Sequence, residues 1–149
     1  MVKKVVAMGS FDILHCGHIA YLKSAKKLGD YLIVIVARNS NIKKIKGREP
    51  VFDEKARREM INSLKMVDKA VIGNKGDMYK ILKEIRPDII ALGYDQQVNI
   101  NLLKKKLNKF GLKTTIVRIR KSIDGKRFKS SIVLKKLSRV LSEKPSIIT

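Results

Sequence analysis

GSFDILHCGH, residues 9 to 18, follows directly on the apolar run Val5-Val6-Ala7-Met8 and holds both histidines and the only cysteine of the chain. Beyond it, Ile19, Leu22, Ala25 and Leu28 recur at helical spacing between His18 and Leu28, and Gly29 supplies a C-terminal stop. A short Val-rich run before and an amphipathic stretch after make the decapeptide the turn between a buried strand and a helix. That reading decides the fold, because parallel strands are joined by just such helical crossovers.

Apolar runs of the same kind recur at Leu32-Val36, Ala70-Ile72, Ile89-Leu92 and Thr115-Val117. Between them, residues 53–64 follow Pro50 and carry Ala56, Met60, Ile61 and Leu64 on one face, and residues 77–85 and 100–109 read as two more helices, with Pro87 and Gly111 just beyond. Ser130 to Leu141 is the last expected helix, with Ile132, Val133, Leu137, Val140 and Leu141 apolar. The alternation predicts an α/β fold: a Rossmann-like, doubly wound, five-stranded parallel sheet with helices on both faces. The 149 residues match one domain, large enough to bury about 70% of the surface its unfolded chain exposes. The expected domain is 1–141, with 142–149 a loosely held tail.

Lys and Arg number 34 against 13 acids, a formal charge of +21 that recruits anions. The lysines are spread along the chain, and Tyr21, Tyr31, Tyr79 and Tyr94 are scattered without aromatic and basic alternation, so a solvated basic surface is expected and nucleic acid is not the expected partner. The lone Cys16 leaves no internal disulfide and no thiolate zinc site, which suits a reducing, cytoplasmic setting. No run approaches the ~20 apolar residues of a membrane span, and the apolar run after Lys3-Lys4 is too short for a signal segment, so neither membrane insertion nor export is expected.

A turn from strand to helix aims free N–H groups and the positive end of the helix dipole at the crevice where ligands of such sheets bind, which makes an anion site. Gly9 and Gly17 remove side chains where a phosphate approaches backbone, the Ser10 hydroxyl donates, and Asp12 orients a cation or caps the turn. His15 and His18, three apart, fall on one side of the helix entrance. Three plainer readings stand beside this one: ordinary hydrogen-bonded histidines, a metal site of His15, Cys16 and His18, and a Cys16 nucleophile. The metal site lacks a fourth ligand, and the nucleophile lacks a spare histidine as base. Lys129-Ser130-Ser131 repeats the pattern of hydroxyls at a helix start, with a ligand-free N-cap as its alternative.

Gly9-x-Phe11-Asp12-x-x-His15-x-Gly17-His18 resembles the G-x-F-D-x-x-H-x-G-H signature of the nucleotidylyltransferase superfamily of cytidylyltransferases and related adenylyltransferases, and the likeness runs to about residue 137. The resemblance implies that His15 and His18 contact nucleotide phosphates and stabilise the transition state. It adds Lys46 as a catalytic cation and Arg48 as a phosphate contact, both from a loop after the second strand, and Arg57 as a helix arginine near the same site. By the same resemblance Gly9, Ser10, Phe11, Asp12 and Gly17 bind nucleotide, Gly93, Tyr94 and Asp95 meet base and ribose, and Lys129, Ser130 and Ser131 hold phosphates. Taken without it, Lys46 and Arg48 suit a solvated loop, and Asp95 suits a cap.

Within the superfamily the chain is similar to the small archaeal FAD synthases, which transfer AMP from ATP to FMN, and to glycerol-3-phosphate cytidylyltransferases. The segment Arg120 to Ser131 is longer and more basic than the R-T-x-G-I-S-T of the latter and lacks its threonine-glycine arrangement, which weakens the case for CTP and glycerol 3-phosphate; the resemblance to the FAD synthases makes ATP and FMN the expected substrates, with CTP and glycerol 3-phosphate the alternative. A divalent cation such as Mg²⁺ is expected to travel with the nucleotide, with no metal ligands from the chain. The resemblance also implies a homodimer. A rival of another class is a basic nucleic-acid-binding module that keeps the fold without turnover.

Overall fold

The computed structural model describes residues 1–120 and 129–143. Five parallel strands, β1 (Lys4–Gly9), β2 (Tyr31–Val36), β3 (Lys69–Ile72), β4 (Ile89–Leu92) and β5 (Thr115–Arg118), form one sheet in the order β3-β2-β1-β4-β5. The chain builds outward from β1 to β3 and then returns to add β4 and β5 on the other side. The reversal of strand order therefore falls between β1 and β4, where open sheets of this kind form their ligand crevice.

Strand periodicity divides the core. Val5, Ala7, Leu32 and Val34 face one layer, containing α1 (Cys16–Lys26) and α3 (Glu54–Asn62), with Leu22, Ala25 and Ile61 buried against them. Val6, Met8, Ile33, Ile35, Ile90 and Leu92 face the other, which α4 (Leu82–Ile85) and α5 (Ile100–Lys109) cover through Leu82, Leu103 and Leu107. Both faces of the sheet are covered, as nearly continuous apolar strands require.

Two expectations are corrected. Residues read as a basic loop form a further helix, α2 (Asn39–Lys46), closed by Gly47 in the left-handed conformation at φ 71°; Lys46 is its last residue, so only Arg48 lies in a loop. The helix expected over 77–85 is confined to α4, because the Asp77 carboxylate accepts from Tyr79 N and bends the preceding residues into a turn. The last helix, α6 (Ser130–Ser142), forms as expected, but none of its residues is buried, and Leu137, Val140 and Leu141 stand exposed among the described residues. The basic stretch 121–128 and residues 144–149 of the expected tail lie outside the described residues. No described helix is long and apolar enough to cross a membrane.

Candidate active site

The turn after β1 is shaped by Phe11. Its ring is buried, its backbone sits at φ 50°, a costly value for a non-glycine residue, and it packs so closely on Gly9 that a Cβ there would come within 2.9 Å of it. Any larger residue at position 9 would force the ring to shift. Phe11 also meets the His18 ring edge-on at 5.3 Å, which sets that imidazole's orientation.

His15 and His18 cap α1 reciprocally. Gly17 N donates to His15 Nδ1 at 3.1 Å, and His15 N donates to His18 Nδ1 at 3.2 Å. An Nδ1 that accepts carries no proton, so the neutral imidazoles are held in the tautomer with the hydrogen on Nε2. The rings stack with centroids 3.8 Å apart, and both line a cleft of about 740 Å³ above the sheet. Burial, and then the positive charges of His15 and Lys46, push the His18 pKa down to about 3; burial also lowers that of His15. The pair is thus a doublet of neutral N–H donors at physiological pH.

This has a measurable consequence for stability. A histidine that resists protonation in the fold but accepts a proton near pH 6.5 when unfolded stabilises the fold above pH 6.5. That contribution drains away as the pH falls from 6.5 towards 3. The melting temperature of the wild type is expected to fall more steeply across this window than that of His18→Gln, which has no proton to gain. Parallel profiles would contradict the assignment.

Around the doublet, Lys46 Nζ reaches Ser10 Oγ at 3.1 Å, with its pKa lowered by burial and by the neighbouring Arg48. Beyond β4, Lys129 pairs with Asp95 at 3.2 Å, and its Nζ lies 5.9 Å from the centre of the Tyr94 ring. Ser130 and Ser131 open α6, whose N-terminal N–H groups have no side-chain cap. Of the residues singled out in the sequence, Gly9, Ser10, Phe11, His15, Gly17, His18, Lys46, Arg48, Gly93, Tyr94, Asp95, Lys129, Ser130 and Ser131 all line this one cleft.

Asp12 and Arg57 do not. Asp12 is buried beneath the cleft, where its carboxylate accepts from Val51 N at 2.8 Å, Phe52 N at 3.1 Å and Arg48 at 3.3 Å. Burial alone would raise its pKa, but these hydrogen bonds outweigh it and hold the group below the ordinary carboxylate value. Arg57 is wholly buried and donates to the carbonyls of Ser10 at 2.8 Å, Ala37 at 2.7 Å and Phe52 at 2.9 Å, and to Asn39 Oδ1 at 2.7 Å. It ties the turns after β1 and β2 to the start of α3.

Two contributors escape the sequence reading. Past Ala7 and Ala91 the strands β1 and β4 part, and side chains take over their hydrogen bonds. The Tyr21 hydroxyl donates to Ala91 O and accepts from Met8 N, while Gln96 Nε2 donates to Met8 O and its Oε1 accepts from Gly93 N. These bridges keep the crevice open without leaving backbone groups unpaired. Tyr21 lies one turn beyond His18, a position that its buried neighbour Leu22 could have flagged; Gln96 carries no such signal.

Among the described residues, no cluster of three or more His, Cys, Asp or Glu side chains is suited to hold a metal ion. Asp12 is committed to Arg48 and backbone, and Asp95 to Lys129. The cleft is instead cationic and rich in N–H and hydroxyl donors, the chemistry of a site for phosphates.

Comparison with known proteins agrees with this chemistry. The family model described as Cytidylyltransferase-like matches residues 6–136. The chain is 50% identical to an FAD synthase of Thermoplasma volcanium over 95% of its own length and 98% of the relative's. It is 43% identical to the FAD synthase of Ferroglobus placidus over 96% and 93% of the two chains. Among solved structures, the lipopolysaccharide core biosynthesis protein of Thermoplasma volcanium superposes with a TM-score of 0.77 at 50% identity, covering 83% of this chain and all of that one. Thermotoga maritima TmcAL bound with alpha-thio ATP, 17% identical with a TM-score of 0.62 over 93% of this chain and 51% of that one, shares the fold.

Proposed function

Since the chain belongs to the cytidylyltransferase-like family and is a nucleotidyltransferase, we propose that it joins ATP to FMN, transferring AMP to the FMN phosphate and releasing pyrophosphate to make FAD. The observation that carries this reading is the stacked histidine doublet with both Nε2–H groups fixed, set between Lys46 and the start of α6. The choice of ATP and FMN over CTP and glycerol 3-phosphate rests on the FAD synthase relatives, 43–50% identical over most of the chain.

An FMN phosphate oxygen attacks the α-phosphorus of ATP as the bond to the β-phosphate oxygen breaks. The attacking phosphate is largely ionised at neutral pH, with a second pKa of about 6, so no base is needed to remove a proton. Catalysis reduces to alignment and to neutralising charge that spreads over the phosphoryl oxygens. His15 and His18 donate Nε2–H to those oxygens, their rings held for it by the hydrogen bonds at Nδ1. Lys46 and Ser10 orient the two phosphates, and the N–H groups and hydroxyls at Ser130 and Ser131 take the pyrophosphate that leaves. Gly93 admits the nucleoside closely, with Tyr94 and Asp95 beside it. The divalent cation, Mg²⁺ or similar, enters as part of the ATP substrate and screens its charge. A homodimer, expected from the same resemblance, and the cytoplasmic setting expected from the lone Cys16 belong to this reading.

The test crosses ATP and CTP with FMN and glycerol 3-phosphate in the presence of Mg²⁺ and follows pyrophosphate release. Turnover is expected with ATP and FMN. Turnover only with CTP and glycerol 3-phosphate would move the activity to the alternative, and no turnover with any pair, alongside salt-sensitive binding of DNA or RNA, would replace it with the nucleic-acid-binding reading.

A further inference from the structure

The cleft has a part that the phosphate chemistry does not use. Where the segments after β2 and β3 line it, apart from the β4 loop that carries Tyr94 and Asp95, the cleft turns apolar: Ile35 in β2, Ile42 and Ile45 on α2, and Met78 and Tyr79 after β3. Ile45 is 70% exposed although it stands at the lip of a binding cleft. A smaller cavity of about 250 Å³ adjoins this lobe and shares Asn41, Ile45, Met78 and Tyr79 with it. The side chains of Ile35, Ile42, Ile45 and Met78 offer a phosphate no partner, and each apolar side chain left in water costs free energy.

The geometry points to this lobe as the seat of the isoalloxazine ring of the flavin acceptor. The inference rests on the reading of FMN as acceptor and assigns it a place. α2 carries both parts of the recognition: Ile42 and Ile45 border the lobe, and at the helix end, one turn beyond Ile42, Lys46 reaches Ser10 beside the histidines, followed by Arg48. A ligand lying along α2 with a planar apolar ring at Ile42 and Ile45 and a dianionic phosphate at Lys46 matches the charge pattern of this helix. The acceptor phosphate then arrives on the side of the histidine doublet opposite Tyr94, where the nucleoside enters. The Tyr79 ring, shared by both cavities, offers an aromatic surface to the flavin. Ile45, exposed until then, becomes covered.

The test measures binding of FMN and of riboflavin by quenching of flavin fluorescence, and binding of ATP by calorimetry, in the wild type, Ile45→Glu and Ile45→Leu. Because Ile45 is on the surface, its substitution leaves folding intact, which circular dichroism checks. Ile45→Glu is expected to weaken FMN about tenfold, equivalent to 1.4 kcal/mol, with ATP affinity changed by less than about twofold, and Ile45→Leu to restore the flavin affinity. Riboflavin, which carries no phosphate for the new carboxylate to repel, is expected to weaken by a similar factor. A wild type that converts FMN to FAD while Ile45→Glu leaves both flavin affinities unchanged, or weakens ATP equally, overturns the placement of the ring and leaves the function standing. A wild type that neither binds nor adenylylates FMN overturns both.

Discussion

Replacing His18 by alanine lowers kcat for AMP transfer by about 10²-fold or more, the scale of losing one preorganised donor to a developing oxyanion. Alanine also removes the acceptor for His15 N, and a lost cap costs about 1 kcal/mol of helix stability. The two effects are separable. Asparagine places a polar atom near the position of Nδ1 and keeps the cap, but does not reach as far as Nε2. His18→Asn is therefore expected to melt close to the wild type and to be nearly as slow as His18→Ala, with KM for ATP and FMN changed far less than kcat. Steady-state kinetics alongside thermal melts check this; a folded His18→Asn with wild-type kcat would remove His18 from the mechanism.

Arg57→Met is expected to be the most damaging substitution for stability. The side chain has no exposed surface and serves four acceptors, three of them backbone carbonyls from three different segments. Each buried acceptor that it leaves unpaired costs about 1–3 kcal/mol, and at this size each kcal/mol lowers the melting temperature by about 2–4 °C. Lysine does not rescue it, because one ammonium cannot span acceptors arranged around a planar fork. Urea denaturation gives the measurement, and a loss below about 1 kcal/mol, that of an ordinary hydrogen bond, would show that the carbonyls find other partners. Activity falls with the fold, since Ser10 and Phe52, both held by Arg57, flank the cleft and the Asp12 brace.

The strands were legible because a buried parallel strand must be apolar throughout, and all five runs, from Val5-Met8 to Thr115-Val117, lie within β1 to β5. The decapeptide was legible for a similar reason: glycines, hydroxyl and histidines between a strand and a helix leave few geometries open. α2 was not. Asn39-Ser40-Asn41-Ile42-Lys43-Lys44-Ile45-Lys46 has no side-chain N-cap and reads as a basic loop, and its helical form depends on Ile42 packing inward and Gly47 closing the end. Asp12 and Arg57 show a different limit. A charged residue near a site has the same letter whether it meets the ligand or ties the scaffold beneath it, and only the tertiary arrangement reveals that their partners are backbone groups. The exposed Ile45 gave no sequence signal either, because its meaning comes from the cleft beside it.

The central claim is that the cleft brings the FMN phosphate directly onto the α-phosphorus of ATP, with neutral histidines and no covalent intermediate. A single-turnover reaction with ATP carrying a chiral α-phosphorothioate tests it most directly, followed by configurational analysis of the FAD formed. The account predicts sulfur-labelled FAD with inverted configuration at phosphorus and unlabelled protein. Retention of configuration, or label left on the chain, would contradict it.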